Sequence, residues 1–286
     1  TIDRSAASDF NPAEPIVANG IPVRDVVGCI LSNELIDAMP VHRVVVRDGN
    51  LKEVIVETEG EYLVERYGDP STPLLQNRLN DLGVTLSESQ EAEINLGLPD
   101  LVRSMSDALA EGYIITIDYG YEARKLYEAA RKNGTLMCHF RHTKNREPLK
   151  RIGQQDITSH ADFTSLVILG QKFGLEKCGL LKQSDLLRNL GLDSYLQRLR
   201  NVKLPSGSYH SNLMGIRNLV DREGLGSFLV CVQTKGQLPK DLWGLGYETN
   251  IAKSVVDRLP IPLLADHHID LLKGKYPHMA WDPSSK

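Results

Sequence analysis

The segment Ser32-Asn33-Glu34-Leu35-Ile36-Asp37-Ala38-Met39-Pro40-Val41-His42 sets an amide and two carboxylates directly after an apolar run, Val26-Val27-Gly28-Cys29-Ile30-Leu31. A second apolar run, Tyr113-Ile114-Ile115-Thr116-Ile117, ends in the same way, on Asp118-Tyr119-Gly120. Carboxylates, an amide and a phenol at such points can orient a cationic or hydrogen-bonding substrate and hold a cofactor. A plainer reading is that Asn33 or Asp37 caps the next turn, which accounts for a single residue better than for the whole group. A third group, Gln155, Asp156, Thr158, His160 and Asp162, could close over a substrate. Its plainer reading is a helix start, with Thr158 or Ser159 as N-cap and Asp162 favouring the helix dipole. His160 titrates in a range suited to receiving a proton, and an equally good reading makes it a hydrogen-bonded structural histidine.

The two apolar runs lack alternation, as expected of strands buried on both faces of a largely parallel sheet. Ligands in such sheets sit at the carboxyl ends of the strands, where Asn33-Glu34 and Asp118-Tyr119 lie. Between the runs, Asp48-Gly49-Asn50 predicts a hairpin joining Arg43–Arg47 to Leu51–Glu57. Helices are then expected after Thr72-Pro73, after Ser87 with Gln90 at capping-box spacing, and after Pro99. Residues Glu122–Lys132 predict a helix and Gly134–Phe140 an extended piece, with Arg141–Ser159 a long loop. Asp162 opens another helix, Leu175–Leu181 is a strand candidate, Ser184 caps a helix running to Leu199, and Phe228–Val232 is the last strong strand.

With 286 residues, 41% hydrophobic and 24% charged, the chain can bury a large core. No stretch reaches the length of a membrane span, and Thr1–Phe10 does not resemble a signal peptide, so the expectation is a soluble, cytoplasmic protein. A net charge of -4 supplies no general field for nucleic acid, although it leaves room for a local basic patch. Four dispersed cysteines, Cys29, Cys138, Cys178 and Cys231, argue against a disulfide framework or zinc ribbon. His139, His142 and His160 with Asp156 lie in extended or loop segments that do not set two rings on one helix face, so no metal is expected. His267-His268-Ile269-Asp270 reads as a solvated segment.

Asn33-Glu34-x-x-Asp37-Ala38-x-Pro40-Val41, then Ile117-Asp118-Tyr119-Gly120, Gly134-Thr135-Leu136, His142, and Gly153-x-x-Asp156-Ile157-Thr158-x-His160-x-Asp162-Phe163 together resemble the MidA family. The likeness runs from about Val26 to Gly236, in order. The family includes the mitochondrial methyltransferase that assists assembly of respiratory complex I. The resemblance implies an α/β fold with a Rossmann-like class I methyltransferase sheet, helices on both faces, and an inserted hairpin and helices. It implies S-adenosylmethionine as cofactor and a protein arginine as acceptor, with a protein substrate such as a respiratory-complex subunit as partner and a mitochondrial matrix location in a eukaryote. On it, Glu34 and then Asp37 pair with the guanidinium, His160 takes up a proton, and Asn33, Asp118 and Tyr119 contact the cofactor. Asp156, Thr158 and Asp162 contact the acceptor.

The expected organisation is a remnant of an N-terminal part over 1–25, a methyltransferase domain over 26–236 with the insertion at 42–111, and a C-terminal extension over 237–286. One departure stands out. The family carries a Gly-rich turn and an acidic residue after its first two strands, and no G-x-G precedes Asn33 here. The N-terminal strands are therefore expected to be missing, and this chain alone to bind the cofactor poorly. The competing readings are a non-catalytic methyltransferase-like scaffold or assembly chaperone, a hydrolase, for which no G-x-S-x-G elbow is present, and a methyltransferase for small molecules or nucleic acid.

Overall fold

The computed structural model describes residues 20–141, 143–246, 255–261 and 263. Thr1–Phe10, His142 and the His267–Asp270 segment lie outside them. The chain forms two units, one running to Leu181 and taking in Phe228–Asp241, the other comprising Lys182–Ser227 and the chain from Leu242 onward.

The first unit begins with β1 (Val26–Asn33), β2 (His42–Arg47), β3 (Asn50–Glu59), β4 (Tyr62–Gly68), α1 (Leu74–Asp81), β5 (Glu91–Ile94), α2 (Leu98–Ala108) and β6 (Leu109–Asp118). It continues through β7 (Gly120–Tyr121), α3 (Ala123–Leu126), β8 (Met137–Phe140), β9 (Thr143–Asn145), β10 (Asp156–Thr158), β11 (Ala161–Asp162), α4 (Phe163–Lys172) and β12 (Glu176–Lys182). The second unit holds α5 (Gln183–Asn189), α6 (Leu192–Leu199) and α7 (Ser206–Val220), after which β13 (Leu229–Lys235) returns to the first.

The principal sheet has the order β1-β6-β13-β12. β1 runs parallel to β6, but β13 runs antiparallel to it, so the expectation of a largely parallel sheet is corrected to a mixed one. Close approach of β1 and β6 depends on Gly112, where a Cβ would stand 1.8 Å from the carbonyl oxygen of Gly28. Helices α2 and α4 supply Leu98, Val102, Met105, Phe163, Leu166 and Leu169 to a core shared with Ile114 and Cys231 of the sheet. β1 differs from its expected burial on both faces. Val26 and Ile30 pack on that core, whereas Val27 is 76% and Leu31 65% exposed on the other side, along the outer edge of the sheet.

The hairpin read from Asp48-Gly49-Asn50 is present, with Asp48 at φ 52° and Gly49 at φ 71°, and belongs to an antiparallel sheet of order β4-β3-β2-β5. No helix follows Ser87. The Ser87 N–H does donate to Gln90 Oε1, but Gln90 Nε2 donates to the carbonyls of Tyr127 and Glu128, and the chain leaves as β5. The helix expected over Glu122–Lys132 shrinks to α3, and the loop expected over Arg141–Ser159 contains β9 and β10, which flank β8 in a small sheet. In the second unit the helix expected from Ser184 to Leu199 is two helices: Gly191, at φ 89°, stops one and starts the other. Leu192, Leu199 and Ile216 form its centre. No helix among the described residues is long and apolar enough to cross a membrane.

Candidate active site

Two loops leave the carboxyl ends of the parallel pair β1 and β6, and buried carboxylates tie them together. Asp118, the last residue of β6, is fully buried. Its Oδ2 accepts from the N–H groups of Ile36 (2.9 Å) and Asp37 (3.3 Å), and its Oδ1 from that of Tyr119 (2.9 Å). Burial and the neighbouring Asp37 push its carboxyl up to about 7, against the pull of those three donors. Both oxygens are thus engaged by main chain, which makes Asp118 a positioning residue for the loop after β1.

Asp37 is also buried, and its Oδ1 has no hydrogen-bond partner among the described residues. The Tyr119 phenol lies close to Asp37 and Thr158, and burial, with the Asp37 and Asp118 carboxylates beside it, holds it well above its ordinary range. The Asp37 carbonyl accepts from Ser159 N–H at 3.0 Å, which brings the third group of candidate residues against the first two.

Glu34 stands at the rim. It is exposed, its N–H continues the ladder to the Ile117 carbonyl at 3.0 Å, and its side chain accepts from Asn33 Nδ2 at 3.1 Å. Its φ of 50° is unusual for a non-glycine residue and turns the chain sharply out of β1.

His160 packs on the rings of Tyr119 and Tyr121, each with centroids 5.4 Å away, and its Nδ1 is buried without a partner among the described residues. Burial, with the positive charges of Arg131, Arg146 and Lys144, pushes it down to about 4. A ring so placed is neutral at pH 7, which suits the structural reading of His160 better than that of a strong base. Asp162 caps α4, accepting from Thr164 N–H (3.0 Å), Ser165 N–H (3.1 Å) and Ser165 Oγ (2.6 Å). It therefore takes the capping role that Thr158 or Ser159 was expected to fill, and burial pushes its carboxyl up. Asp156 is exposed, two residues before Thr158 in β10, and its side chain makes no hydrogen bond or ion pair among the described residues.

Glu93, for which sequence reasoning found no role, organises the floor. Its carboxylate accepts from Thr135 N–H (2.8 Å), Thr135 Oγ1 (2.8 Å) and Leu136 N–H (3.1 Å), and Thr135 Oγ1 accepts in turn from His160 N–H at 3.0 Å. Gly134 is needed there, because a Cβ would meet Glu93 Oε1 at 2.2 Å. A cavity of about 20 Å³, lined by Arg78, Glu93, Asn95, His160 and Asp162, adjoins this floor and is large enough for one water. The available signal was Gly134-Thr135 itself, which only makes sense beside a partner from elsewhere in the chain.

Opposed titrations follow from this geometry. Asp118 is raised from 3.8 to about 7, so it contributes stability that is complete below 3.8 and lost as pH rises through about 7. His160 is lowered from 6.5 to about 4, so its contribution is present above 6.5 and lost as pH falls through about 4. Urea midpoints of the His160→Gln variant are therefore expected to decline between about pH 4 and 7, and those of Asp118→Asn to rise over the same interval. Parallel profiles for the two variants would refute the assignment.

Residues 16–181, more than half of the chain, match the family model described as "Putative S-adenosyl-L-methionine-dependent methyltransferase". The chain belongs to this family. The match stops at the last residue of the first unit's main segment, so the family's features lie in the unit that carries the carboxylates. Among curated relatives, the Drosophila melanogaster protein named as a mitochondrial protein arginine methyltransferase NDUFAF7 homolog is 24% identical over 188 residues, covering 62% of this chain and 40% of its own length. Among solved structures, a Burkholderia thailandensis protein bound to S-adenosyl-homocysteine is 27% identical with a TM-score of 0.69, covering 78% of this chain and 57% of that one. A high-resolution native structure from the same organism is 26% identical with a TM-score of 0.70, covering 78% and 59%. The chain thus spans less than two thirds of the length of each of these relatives.

Proposed function

We propose that this chain is the acceptor-side part of an S-adenosylmethionine-dependent methyltransferase acting on an arginine side chain of a protein. The observation that carries the reading is the buried Asp37 carboxylate at the mouth of the parallel pair, whose main-chain N–H is held by Asp118 and whose Oδ1 has no partner among the described residues. A buried, unpaired acceptor at the carboxyl end of parallel strands suits a ligand that brings its own donor. Family membership and the S-adenosyl-homocysteine in the Burkholderia thailandensis relative support the cofactor, and the name of the Drosophila melanogaster relative supports the arginine acceptor. The β1-β6-β13-β12 sheet, with α2 and α4 on one face, is consistent with four strands of a seven-stranded Rossmann-like methyltransferase sheet.

The cofactor supplies an electrophilic methyl group on a sulfonium. The chain's own task is to deliver the nucleophile in line and to keep water out. A guanidinium is fully protonated and a poor nucleophile until its charge is drawn to one side. Glu34, at the rim and held by Asn33, would pair with two of its nitrogens and leave the third facing the methyl group, with Asp37 as the second carboxylate; the proton shed by the methylated nitrogen would pass through the exposed Glu34 carboxylate to water. Asp118 holds the main chain that carries Asp37, and His160 walls the crevice against Tyr119 and Tyr121. Asn33 and Tyr119 are the proposed cofactor contacts, and a cytoplasmic or mitochondrial-matrix location fits a protein acceptor.

The test is calorimetric titration of S-adenosylmethionine into this 286-residue chain and into a form lengthened N-terminally to include a Gly-rich turn. Binding by the longer form, with methyl transfer to arginine peptides, is the expected result. Absence of binding by both would overturn the reading.

A further inference from the structure

The chain is net acidic, yet residues 139–151 carry Arg141, Lys144, Arg146, Lys150 and Arg151 against the single acid Glu147. All five cations are exposed. Lys150 is matched by Glu147, and Arg146 Nη1 donates to the Asn133 carbonyl at 2.7 Å. Among the described residues, Arg141, Lys144, Arg146 and Arg151 have no carboxylate within ion-pair distance. Arg141 and Arg151 lie over the ring of Phe140 at 5.2 and 4.4 Å, both with positive φ, so the fold places two guanidinium groups side by side where each costs backbone strain.

This surface adjoins the crevice. Tyr121, whose ring touches His160, carries Arg131 and Lys125 at 4.8 and 4.6 Å on its own faces. β10, one of the two edge strands of the small sheet, leads directly from the basic loop to Thr158 and His160. Two apolar side chains stand among the cations, Ile152 at 63% and Ile157 at 43% exposure. Nearby acids are few: Glu128 pairs with Arg131, and Asp156 is exposed beside His139 in the β8–β10 pair.

We propose that β8, β9 and the loop to β10 form a docking surface for an acidic segment of the methyl-accepting protein, with its carboxylates on Arg141, Lys144 and Arg151 and an apolar side chain on Ile152. The inference rests on the protein-acceptor reading above and adds which acceptors are chosen: those whose target arginine lies close in sequence to a run of Asp or Glu. Such a surface speeds encounter and selects partners by charge. Single-stranded nucleic acid is the less suitable occupant, because base stacking needs an open aromatic face and two guanidinium groups already occupy Phe140.

The experiment measures fluorescence anisotropy of a labelled peptide, one arginine followed by a run of glutamates, against the full chain and the Lys144→Glu/Arg151→Glu double variant. Expected are saturable binding that weakens from about 50 to about 200 mM salt and a loss of about tenfold in the variant. Lys144→Gln/Arg151→Gln should lose less, in the same direction, and Arg66→Glu, on an edge strand of the other antiparallel sheet, should lose nothing. Equal loss in Arg66→Glu, no binding by the parent chain, or tighter binding of an oligothymidylate would overturn the proposal. Methyl transfer by the lengthened form separates the two readings: peptide binding without transfer refutes the methyltransferase reading and leaves the surface standing, whereas transfer unaffected by charge reversal refutes the surface alone.

Discussion

Glu34→Gln is expected to lower methyl transfer by about a hundredfold while leaving the urea midpoint unchanged. The amide keeps the size and one acceptor of the side chain but loses the charge that would orient a guanidinium. Stability should not follow, because the carboxylate is exposed and its contact in the chain is Asn33. Glu34→Gly sharpens the test. With φ at 50°, glycine relieves backbone strain and should stabilise the fold by up to about 1 kcal/mol while activity still falls. Full activity in Glu34→Gln would remove Glu34 from the mechanism and leave Asp37 as the orienting carboxylate.

Asp118→Ala is expected to cost at least about 3 kcal/mol, since three main-chain donors in a buried position would lose their acceptor together. Chemical denaturation with an unchanged m-value is the measurement. Relief of the repulsion with Asp37 offsets a part of the loss. A cost below about 1 kcal/mol would show that water replaces the carboxylate and that Asp118 does not organise the loop.

The parts of the fold written in short-range chemistry were legible. Asp48-Gly49 specifies the β2–β3 turn because both residues tolerate positive φ. The start of α4 near Asp162 was legible too, although the side chain that caps it is Asp162 itself and not Thr158 or Ser159. β6 declared itself through the β-branched and aromatic run Tyr113–Ile117. What failed depends on distant partners. Ser87 and Gln90 form the local contact of a capping box, but carbonyls at 127 and 128 draw the Gln90 amide and settle the segment as strand. β10 is too short to show a period and exists because β8 pairs with it. In the site, Asp37 and Asp118 could be picked out by their places after strands, whereas Glu93 could not, its role being set by Thr135 in a loop about forty residues away.

One thiol offers a direct reading of the least finished surface. Cys29 sits in β1 between Val27 and Leu31, on the same side of the strand, and is exposed, whereas Cys138 and Cys231 are buried. Anything that lies over that side of β1 must shield its sulfur as well. The rate at which Cys29 is alkylated therefore gauges, without an introduced label, how completely this face is covered in any longer form or assembly.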